Sequence, residues 1–454
     1  MVTLTILKPQ LDELLAIIFS EQPNEGAAFL ICGTSLTDRE DRLLVREVVP
    51  VQPAHYLVRE PQRLSIDSQA YANAAKRAVA DGSSVLFVHS HPGGVGEFSG
   101  QDDREEPKLM TFLDARVPGR VHGSLVIASA ADLRGRAWVR GRWTDIGRIR
   151  ILGGRFRFHN HVGERRPLPE FFERQVRAFG EELQRLLRAL HVGVVGAGGT
   201  GSAVAEQLAR LGVGELSIFD GDTLTTTNVT RVYGSTIAAA GANKAQLARD
   251  HIVSMGLGTK VTAIPAYIDT EEAAKRLREC DLVFGCTDKA APRSLLGALA
   301  TRYYIPTFDV AVKIDSSDGL LRGIFGRVTT LIAGEACLFC RDRITPAAIA
   351  LEALRPAERR ARAAERYAPE LPEHDPAVIM FTTTVASQAI IEMLHRLTGF
   401  MGDDRMSTEV LIRFHDTMIS RNRQPPNPEC VCMRRSLWGR GDERNFLGVV
   451  WTKR

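Results

Sequence analysis

The feature that most constrains the fold of this chain is a glycine-rich turn between an apolar strand and a helix. Residues 191–195 predict a strand, residues 202–212 have helical periodicity, and residues 215–220 predict a second strand. The turn GAGGTG contains Gly196, Gly198, Gly199 and Gly201. Small residues let the backbone approach a phosphate group, and the N-terminus of the following helix attracts anions. The order strand, turn, helix, strand predicts a parallel, doubly wound α/β sheet.

The turn alone does not separate two classes of protein, because it suits NAD dehydrogenases and nucleotide-activating enzymes equally. Asp220, at the end of the second strand, could hold a ribose in either class. Asn228 and Arg231 lie in the next loop, and Lys244 begins the next predicted helix. Asp288 follows a later strand, where it could hold Mg²⁺. This set of side chains favours ATP cleavage, since charge develops on the departing pyrophosphate.

These residues resemble those of the ThiF/MoeB/HesA family, the activating enzymes of ubiquitin and of sulfur carriers. The resemblance covers roughly residues 169–420. It implies that a Gly-Gly-like carboxylate attacks the α-phosphate of ATP, which gives an acyl-adenylate and pyrophosphate. The implied roles are Asp220 for ribose, Asn228, Arg231 and Lys244 for phosphate, Asp288 for magnesium, and Arg174 for the ATP site of the partner in a homodimer. Lys289 stands where the family usually has Asn, so we expect altered substrate contacts and retained chemistry.

The cysteines bear on the step after adenylation. Many members of this family pass the acyl group to their own cysteine, but the segment Arg341 to Gln388, where that nucleophile would lie, contains no cysteine. Cys280 and Cys286 lie at the ends of a predicted strand and are interpreted as core residues. We therefore predict adenylation without a stable self-thioester at the usual position.

Two close cysteine pairs lie late in the chain. With four thiolates they can form a structural zinc site, as the family often does. The second pair has one residue between its cysteines instead of the usual two, and four unliganded thiols are the alternative. The four residues are Cys337, Cys340, Cys430 and Cys432.

A second motif, His89-Ser90-His91-Pro92, comes directly after the apolar strand Val85–Val88. Histidines at positions i and i+2 of an extended segment project to the same side, so they can bind one cation together. Asp102 can complete a three-ligand set and leave the fourth tetrahedral position of zinc open. The alternative is that the histidines are satisfied by backbone carbonyl groups.

Zinc hydrolysis also needs a proton acceptor and an oxyanion donor. Glu25, just before the apolar run AAFLIC, is the candidate base, with Glu21 as the second choice, and Ser99 could donate to the oxyanion. The pattern resembles that of the JAMM (MPN or JAB) metalloprotease family, which has a distant Glu followed by His-x-His-Pro, a Ser and an Asp. Seven residues, Pro92 to Phe98, separate the second His from the Ser, and two more separate the Ser from the Asp. The resemblance covers roughly the first 140 residues. It implies cleavage of isopeptide or peptide bonds after a C-terminal Gly of ubiquitin-like proteins.

The chain length of 454 residues indicates two domains. We predict a JAMM-type α/β zinc hydrolase domain over residues 1–145 and a linker, expected to be a mobile joint, over residues 146–168. A Rossmann-like, doubly wound ThiF-type domain with a cysteine-rich zinc element follows over residues 169–454. Helices are expected over 71–80, 169–189 and 382–398, with a helical or mobile segment over 346–368.

Composition narrows the setting. The formal net charge is only +4, and the basic runs 155–166 and 355–366 are interpreted as a linker and a solvated helix face, so no nucleic-acid partner is expected. No stretch has the roughly 18 apolar residues of a membrane helix, and the N-terminus lacks the pattern of a signal peptide. We expect a cytoplasmic protein.

The two motifs share a chemistry, because hydrolysis after a terminal Gly releases the carboxylate that an adenylating enzyme consumes. The sequence therefore suggests a bifunctional enzyme that uses Zn²⁺, ATP and Mg²⁺ and acts on a ubiquitin-like protein in a bacterial modification system, with a conjugating enzyme as a further partner. The alternatives are sulfur-carrier activation with a sulfurtransferase, and a non-catalytic scaffold that binds a modifier.

Overall fold

The computed structural model describes residues 1–160, 167–317, 320–355, 358, 376–402, 407–449 and 451. They divide into two compact units. The first contains the described part of Met1–Arg165 together with Arg302–Tyr304 and Arg435–Arg444, and the second contains the rest. The predicted domains were contiguous and did not include these two short segments in the first unit. Tyr304 belongs to this unit through contacts such as the hydrogen bond from its hydroxyl to the Val45 carbonyl (2.9 Å).

The first unit has ten strands and three α-helices among its described residues. The strands are β1 (Val2–Leu7), β2 (Ala27–Leu36), β3 (Asp41–Pro50), β4 (Tyr56–Glu60), β5 (Arg63–Ile66), β6 (Ser84–Ser90), β7 (His122–Ile127), β8 (Leu133–Val139), β9 (Arg142–Leu152) and β10 (Phe156–Asn160). The helices are α1 (Lys8–Ile18), α2 (Ser68–Asp81) and α3 (Gly100–Arg116). Eight strands form one sheet in the order β1-β3-β2-β6-β7-β8-β9-β10, which closes on itself because β1 also pairs with β9.

Alternation along β2 divides the core of this unit in two. Ala28 and Leu30 face the cluster that includes α1, whereas Ala27, Phe29 and Ile31 face the cluster that includes α2 and α3. Strand β6 follows the same rule, so His89 continues the face of β6 that packs against α2 and α3. This places His89 opposite the N-terminal half of α3.

The predicted linker differs from the structure over most of its length. Residues 146–152 continue β9 and pair in parallel with β1, and β10 pairs with β9 in antiparallel register. The sequence hides this because Arg148 and Arg150 alternate with Ile149 and Ile151, and the Arg150 side chain is buried in a pairing with Glu40 (3.0 Å). Residues 161–166 lie outside the described residues.

The second unit has eight α-helices and eight strands among its described residues. The strands are β11 (His191–Val195), β12 (Glu215–Phe219), β13 (Lys260–Ile264), β14 (Leu282–Gly285), β15 (Thr307–Ser317), β16 (Leu320–Leu331), β17 (Glu409–Arg413) and β18 (Met418–Asn422). The helices are α4 (Glu173–Phe179), α5 (Glu181–Ala189), α6 (Gly199–Leu211), α7 (Lys244–Ser254), α8 (Glu271–Arg276), α9 (Ala290–Arg302), α10 (Pro346–Glu352) and α11 (Ile379–Thr398).

The sheet of this unit has the order β13-β12-β11-β14-β15-β16-β17-β18. The first five strands are parallel and the last three pairings are antiparallel. The predicted fold class, a doubly wound α/β sheet after an α/β domain, is confirmed. The expected helix over residues 169–189 is split at Gly180, whose φ of +86° suits glycine and ends α4.

Two further helix predictions, 382–398 and 346–368, have different outcomes. Helix α11 matches the predicted helix 382–398 and begins three residues earlier, at Ile379. Within the expected segment 346–368, helix α10 occupies Pro346–Glu352, and most residues after 355 lie outside the described part of the chain. None of the described helices combines the length and the apolar character that crossing a bilayer requires.

Candidate functional site

The first site lies at the end of β6, where the two histidines project together. His89 Nε2 lies 3.2 Å from His91 Nε2. The second ring nitrogen of His91, Nδ1, lies 3.2 Å from the Val95 carbonyl oxygen, which orients the ring. His89 is almost fully buried and His91 is half-buried. The period-two spacing thus brings both Nε2 atoms to one point, as the sequence predicts.

Helix α3 brings the third ligand to the same point. Asp102 Oδ1 lies 3.3 Å from His89 Nε2, and Asp102 Oδ2 lies 3.9 Å from His91 Nε2. Asp102 is fixed by a capping box, because its carboxylate accepts the Ser99 backbone N–H (2.6 Å) and the Ser99 hydroxyl accepts the Asp102 N–H (3.3 Å). One ligand atom from each of the three residues lies within 4.8 Å of the others.

Glu25 approaches this cluster because of the residue between the histidines. Ser90 points to the opposite face of β6, where its hydroxyl accepts the Gly26 N–H (2.9 Å) and donates to the Ile18 carbonyl (3.0 Å). A side chain at Gly26 would collide with Ile18, since an added Cβ would lie 2.3 Å from its carbonyl oxygen. Glu25 is 7% exposed, whereas the Glu21 side chain is 62% exposed and faces Arg59. The structure therefore favours Glu25 over Glu21 as the candidate base.

Burial and charge set the protonation of this cluster. Burial raises the pKa of Glu25 to about 7, against the opposing charge of His89. Burial also acts to raise the pKa of Asp102, but the hydrogen bond and charge of His89 outweigh it and hold that pKa below its usual range. Glu25, whose pKa lies near neutral pH, is thus beside the Asp102 carboxylate, which stays ionised.

The cluster opens into a groove of about 990 Å³. Its walls come from the β4–β5 hairpin, the loop after β6 and α3. Two nitrogens and one carboxylate in close convergence, with an open side toward the groove, form a donor set that fits a catalytic zinc ion. The three residues that would hold the ion are His89, His91 and Asp102.

Three residues near this site are absent from the sequence prediction. Glu106, one helical turn after Asp102, places Oε1 3.7 Å from His89 Nδ1. Its carboxylate accepts hydrogen bonds from Ser124 (2.6 Å) and Arg136 (2.6 and 3.1 Å). The i, i+4 spacing from Asp102 puts Glu106 on the same helix face, but nothing in the sequence distinguishes it from its neighbour Glu105.

The second site lies at the carboxyl ends of β11, β12 and β14. Gly196 has a φ of +90° and its N–H donates to the Phe219 carbonyl (2.7 Å). An added Cβ at Gly201 would lie 1.7 Å from the Gly196 carbonyl oxygen, so α6 packs against the turn at a distance that only glycine permits. At Gly198 an added Cβ would meet nothing within 4 Å. The turn therefore presents open backbone at the N-terminus of α6, which fits a phosphate group.

The predicted nucleotide residues surround this turn. Asp220 is buried and accepts N–H groups from Ala197 (2.6 Å) and Asp222 (2.8 Å), while burial raises its pKa. Lys244 begins α7 and pairs with Asp222 (3.0 Å). The stem of Arg231 lies over Gly199, since an added Cβ there would lie 3.2 Å from Arg231 Cδ.

Other predicted residues of this site are less closely engaged. Asn228 accepts the Thr225 N–H (3.2 Å) in a cap of its own turn. Asp288 and Lys289 are exposed after β14, and the Lys289 ammonium lies 5.4 Å from the centre of the Tyr267 ring. Arg174 is exposed on α4.

The four paired cysteines converge. Their Sγ atoms are separated by 3.7 Å (Cys337 to Cys340), 3.6 Å (Cys337 to Cys430) and 3.6 Å (Cys340 to Cys432). A tetrahedral zinc with bonds of about 2.3 Å spaces its sulfurs by about 3.8 Å. The set therefore fits a structural zinc ion, even though Cys430 and Cys432 have one intervening residue. Of the other cysteines, Cys280 is buried and Cys286 is partly exposed.

Comparison with known proteins defines the family of the second unit. The ThiF family model matches residues 172–432, more than half of the chain. The chain belongs to the ThiF family. Molybdopterin-synthase adenylyltransferase from Escherichia coli K12 is 32% identical to this ThiF-family chain over 177 residues, which are 38% of this chain and 68% of that protein. The second unit is accordingly an adenylyltransferase domain.

Three further matches accompany this comparison. Protein HesA from Leptolyngbya boryana is 24% identical over 267 residues, or 57% of this ThiF-family chain and 83% of that protein. The model for prokaryotic homologs of the JAB domain matches residues 7–141 and covers the first site. Among solved structures, E. coli MccB with ATP is 14% identical with a TM-score of 0.46, over 58% of this chain and 74% of that one.

Proposed function

We propose that this ThiF-family chain is a bifunctional enzyme acting on the C-terminal glycine tail of a ubiquitin-like protein. The first unit cleaves the peptide or isopeptide bond after the glycine, and the second adenylates the released carboxylate. Support comes from the close convergence of His89, His91 and Asp102 beside the buried Glu25, in the same chain as a ThiF adenylyltransferase domain. Because the second step consumes ATP, we propose the cytoplasm as its location.

The first reaction uses the chain's own groups for proton transfer. A zinc ion bound by the two histidines and Asp102 would supply Lewis acidity. Glu25 takes a proton from the attacking water and returns it to the leaving amine. In the metal-free cluster, burial already raises the pKa of Glu25 to about 7. The Ser99 hydroxyl accepts the Asp102 N–H, which leaves its own proton for the developing oxyanion.

The second reaction takes place at the glycine-rich turn. The substrate carboxylate attacks the α-phosphate of ATP, and pyrophosphate departs. Lys244 and Arg231 neutralise the charge that develops on phosphate, Asn228 contributes a hydrogen bond, Asp220 holds the ribose, and Asp288 holds Mg²⁺. The pairing of Lys244 with Asp222 places its ammonium at this edge of the sheet.

A coupled assay tests both halves together. The substrate is a candidate modifier that carries extra residues after its terminal glycine, and the matched control is the same modifier ending at glycine. We expect wild-type protein with ATP and Mg²⁺ to adenylate both forms, as followed by pyrophosphate release. Glu25→Gln should adenylate only the form that ends at glycine. If neither form supports pyrophosphate release with any modifier encoded near this chain, the proposal is wrong.

A sulfur-carrier pathway is the second candidate. Two observations favour it: the likeness to molybdopterin-synthase adenylyltransferase, and the lack of any cysteine between Arg341 and Gln388 for a self-thioester. In this pathway a sulfurtransferase converts the adenylate to a thiocarboxylate. Mass spectrometry separates the candidates, because a conjugating enzyme would gain a modifier thioester whereas a sulfurtransferase would yield a modifier heavier by the exchange of oxygen for sulfur.

Arg174 is proposed to act in the site of a partner subunit in a homodimer. Mixing two inactive variants tests this. In a mixed dimer of Arg174→Ala and Lys244→Ala, one site has both its own Lys244 and an Arg174 from the other subunit. We therefore expect the mixture to recover adenylation that neither variant has alone. Absence of recovery in dimers shown to be mixed would place Arg174 outside the reaction.

A further inference from the structure

The buried side of the His89 ring lacks a close hydrogen bond. His89 Nε2 faces the ligand cluster, at 3.3 Å from Asp102 Oδ1. Its other nitrogen, Nδ1, faces Glu106 and makes no hydrogen bond within the described part of the chain. A metal-bound histidine needs a proton on the nitrogen that does not face the metal, and an acceptor for that proton fixes the ring.

Glu106 is the acceptor that this nitrogen faces. Its Oε1 lies 3.7 Å from His89 Nδ1, and the side chain is 4% exposed. A movement of about 0.5–0.8 Å would bring the two atoms to hydrogen-bond distance. Asp102 and Glu106 are four residues apart on α3, so one helix face supplies a carboxylate to each side of the same imidazole ring.

Glu106 is itself held by a rigid set of neighbours. Ser124 on β7 donates to Oε1 (2.6 Å), and the Arg136 guanidinium donates twice to Oε2 (2.6 and 3.1 Å). The guanidinium lies between two aromatic rings, 3.9 Å from the centre of Phe98 and 4.2 Å from that of Trp143. The two donations from Arg136 occupy Oε2, which leaves Oε1, the acceptor of the Ser124 hydroxyl, facing His89.

We infer that Glu106 is a positioning residue, which accepts the Nδ1–H of His89 and thereby fixes Nε2 as the nitrogen that faces the metal. This inference rests on the zinc site of the proposed function, and it adds to that site a residue outside the ligand set. The competing role is purely structural: Glu106 would serve only to satisfy Arg136 and Ser124, and His89 would not depend on it.

Glu106→Gln separates these roles, because it replaces the acceptor oxygen that faces His89 with a donor nitrogen. Arg136 can only donate, so it keeps the amide oxygen at the Oε2 position, and the amide nitrogen then faces His89 and Ser124. Ser124 can accept from that nitrogen, whereas His89 Nδ1 now meets a donor. The matched control is Glu105→Gln on the same helix, because the Glu105 side chain is 60% exposed and pairs with Lys108.

The measurement is Zn²⁺ affinity of the first site by competition with a chelator, with His89→Ala as the baseline for metal bound elsewhere. We expect Glu106→Gln to lose about 10- to 100-fold in affinity and Glu105→Gln to match wild type. Melting of the metal-free proteins checks that each is folded. An affinity within about twofold of wild type in folded Glu106→Gln overturns the inference.

A second measurement needs no variant of Glu106. In zinc-loaded wild-type protein, long-range ¹H–¹⁵N spectra of the histidine rings report which nitrogen of His89 carries the proton, with the signal assigned by its loss in His89→Gln. We expect a slowly exchanging proton on Nδ1. A proton on Nε2, or one on Nδ1 in fast exchange with water, contradicts the inference.

These outcomes are distinguishable from failure of the proposed function. If wild type binds zinc and depends on Glu106 but cleaves no glycine-terminated substrate, the peptidase proposal fails and the positioning role stands. If wild type and His89→Ala bind equal amounts of zinc, both fail.

Discussion

The two sites of this chain differ in how far they are assembled before any ligand binds. At the first site the ligand atoms of three residues already lie within 4.8 Å of one another, and His89 is 2% exposed. At the second site the charged side chains do not converge on one point: Lys244 forms an ion pair with Asp222, whereas Asp288 is exposed to solvent. The residues of the first site therefore converge without any ligand. At the second site we expect the charged side chains to rearrange when a nucleotide binds.

The difference follows from the ligands that the sites suit. A zinc ion accepts bonds of about 2.0–2.3 Å, so its donors must converge on one point, and buried elements can hold them there. A nucleoside triphosphate is long and flexible, and residues at the ends of several strands contribute to its binding site.

The largest expected effect concerns the base of the first site. Glu25→Gln should lower cleavage by about 10²–10⁴-fold, because Glu25 is the group that we propose moves the proton. Metal content should remain that of wild type, since the ligand set is organised without Glu25. Metal analysis and a glycine-terminated fluorogenic peptide measure the two effects, with Glu21→Gln as the control. Loss of metal together with activity would show that the site is not preassembled.

The next effect concerns the second site. Lys244→Ala should reduce ATP–pyrophosphate exchange by about 10²–10³-fold, mainly in kcat, because the ammonium acts on charge that develops as pyrophosphate departs. Lys260→Ala, a change at an exposed lysine of β13, is the control. Cleavage at the first site should be unaffected. A change confined to the KM for ATP would show that Lys244 serves binding only.

The cysteine cluster gives a smaller effect, on stability. Cys430→Ser should remove one zinc ion per chain and destabilise the second unit by at least about 2 kcal/mol, since metal binding contributes to folding. Metal analysis and calorimetry measure both. His89→Ala is the converse control, because it should remove the other zinc and leave the transition of the second unit in place. An unchanged zinc content in Cys430→Ser would favour four unliganded thiols.

The smallest effect is a dependence on pH in metal-free protein. The folded protein binds the Glu25 proton more tightly than the unfolded chain, because the pKa is about 7 instead of 4.5. This contribution to stability is complete below the unfolded value and is lost as pH rises through 7. Glu25→Gln should therefore stabilise the first unit at pH 8 by about 1 kcal/mol, after allowance for solvent screening, and have little effect at pH 4. Thermal melts with a chelator at both pH values measure this, and an equal effect at both would contradict it.

The sequence by itself determined what depends on short spacing. His89 and His91 are two residues apart on a strand, so their common direction follows from the period of β structure. Likewise the glycines between β11 and α6 predicted the parallel sheet and its phosphate-binding turn, because few other residues permit that turn. Strand β11 and helix α11 were predictable for the same reason, since their apolar pattern is local.

Only the tertiary structure decided the features that join distant elements. Ser90 ties Gly26, and with it Glu25, to β6, and Glu106 reaches His89 only because α3 packs on that face of the sheet. The arginines of residues 146–160 suggested a linker. Instead this segment extends the sheet, because β9 pairs with both β1 and β10. The physical reason is that a side chain's direction is set within its own element, whereas its partners depend on how elements from far along the chain pack together.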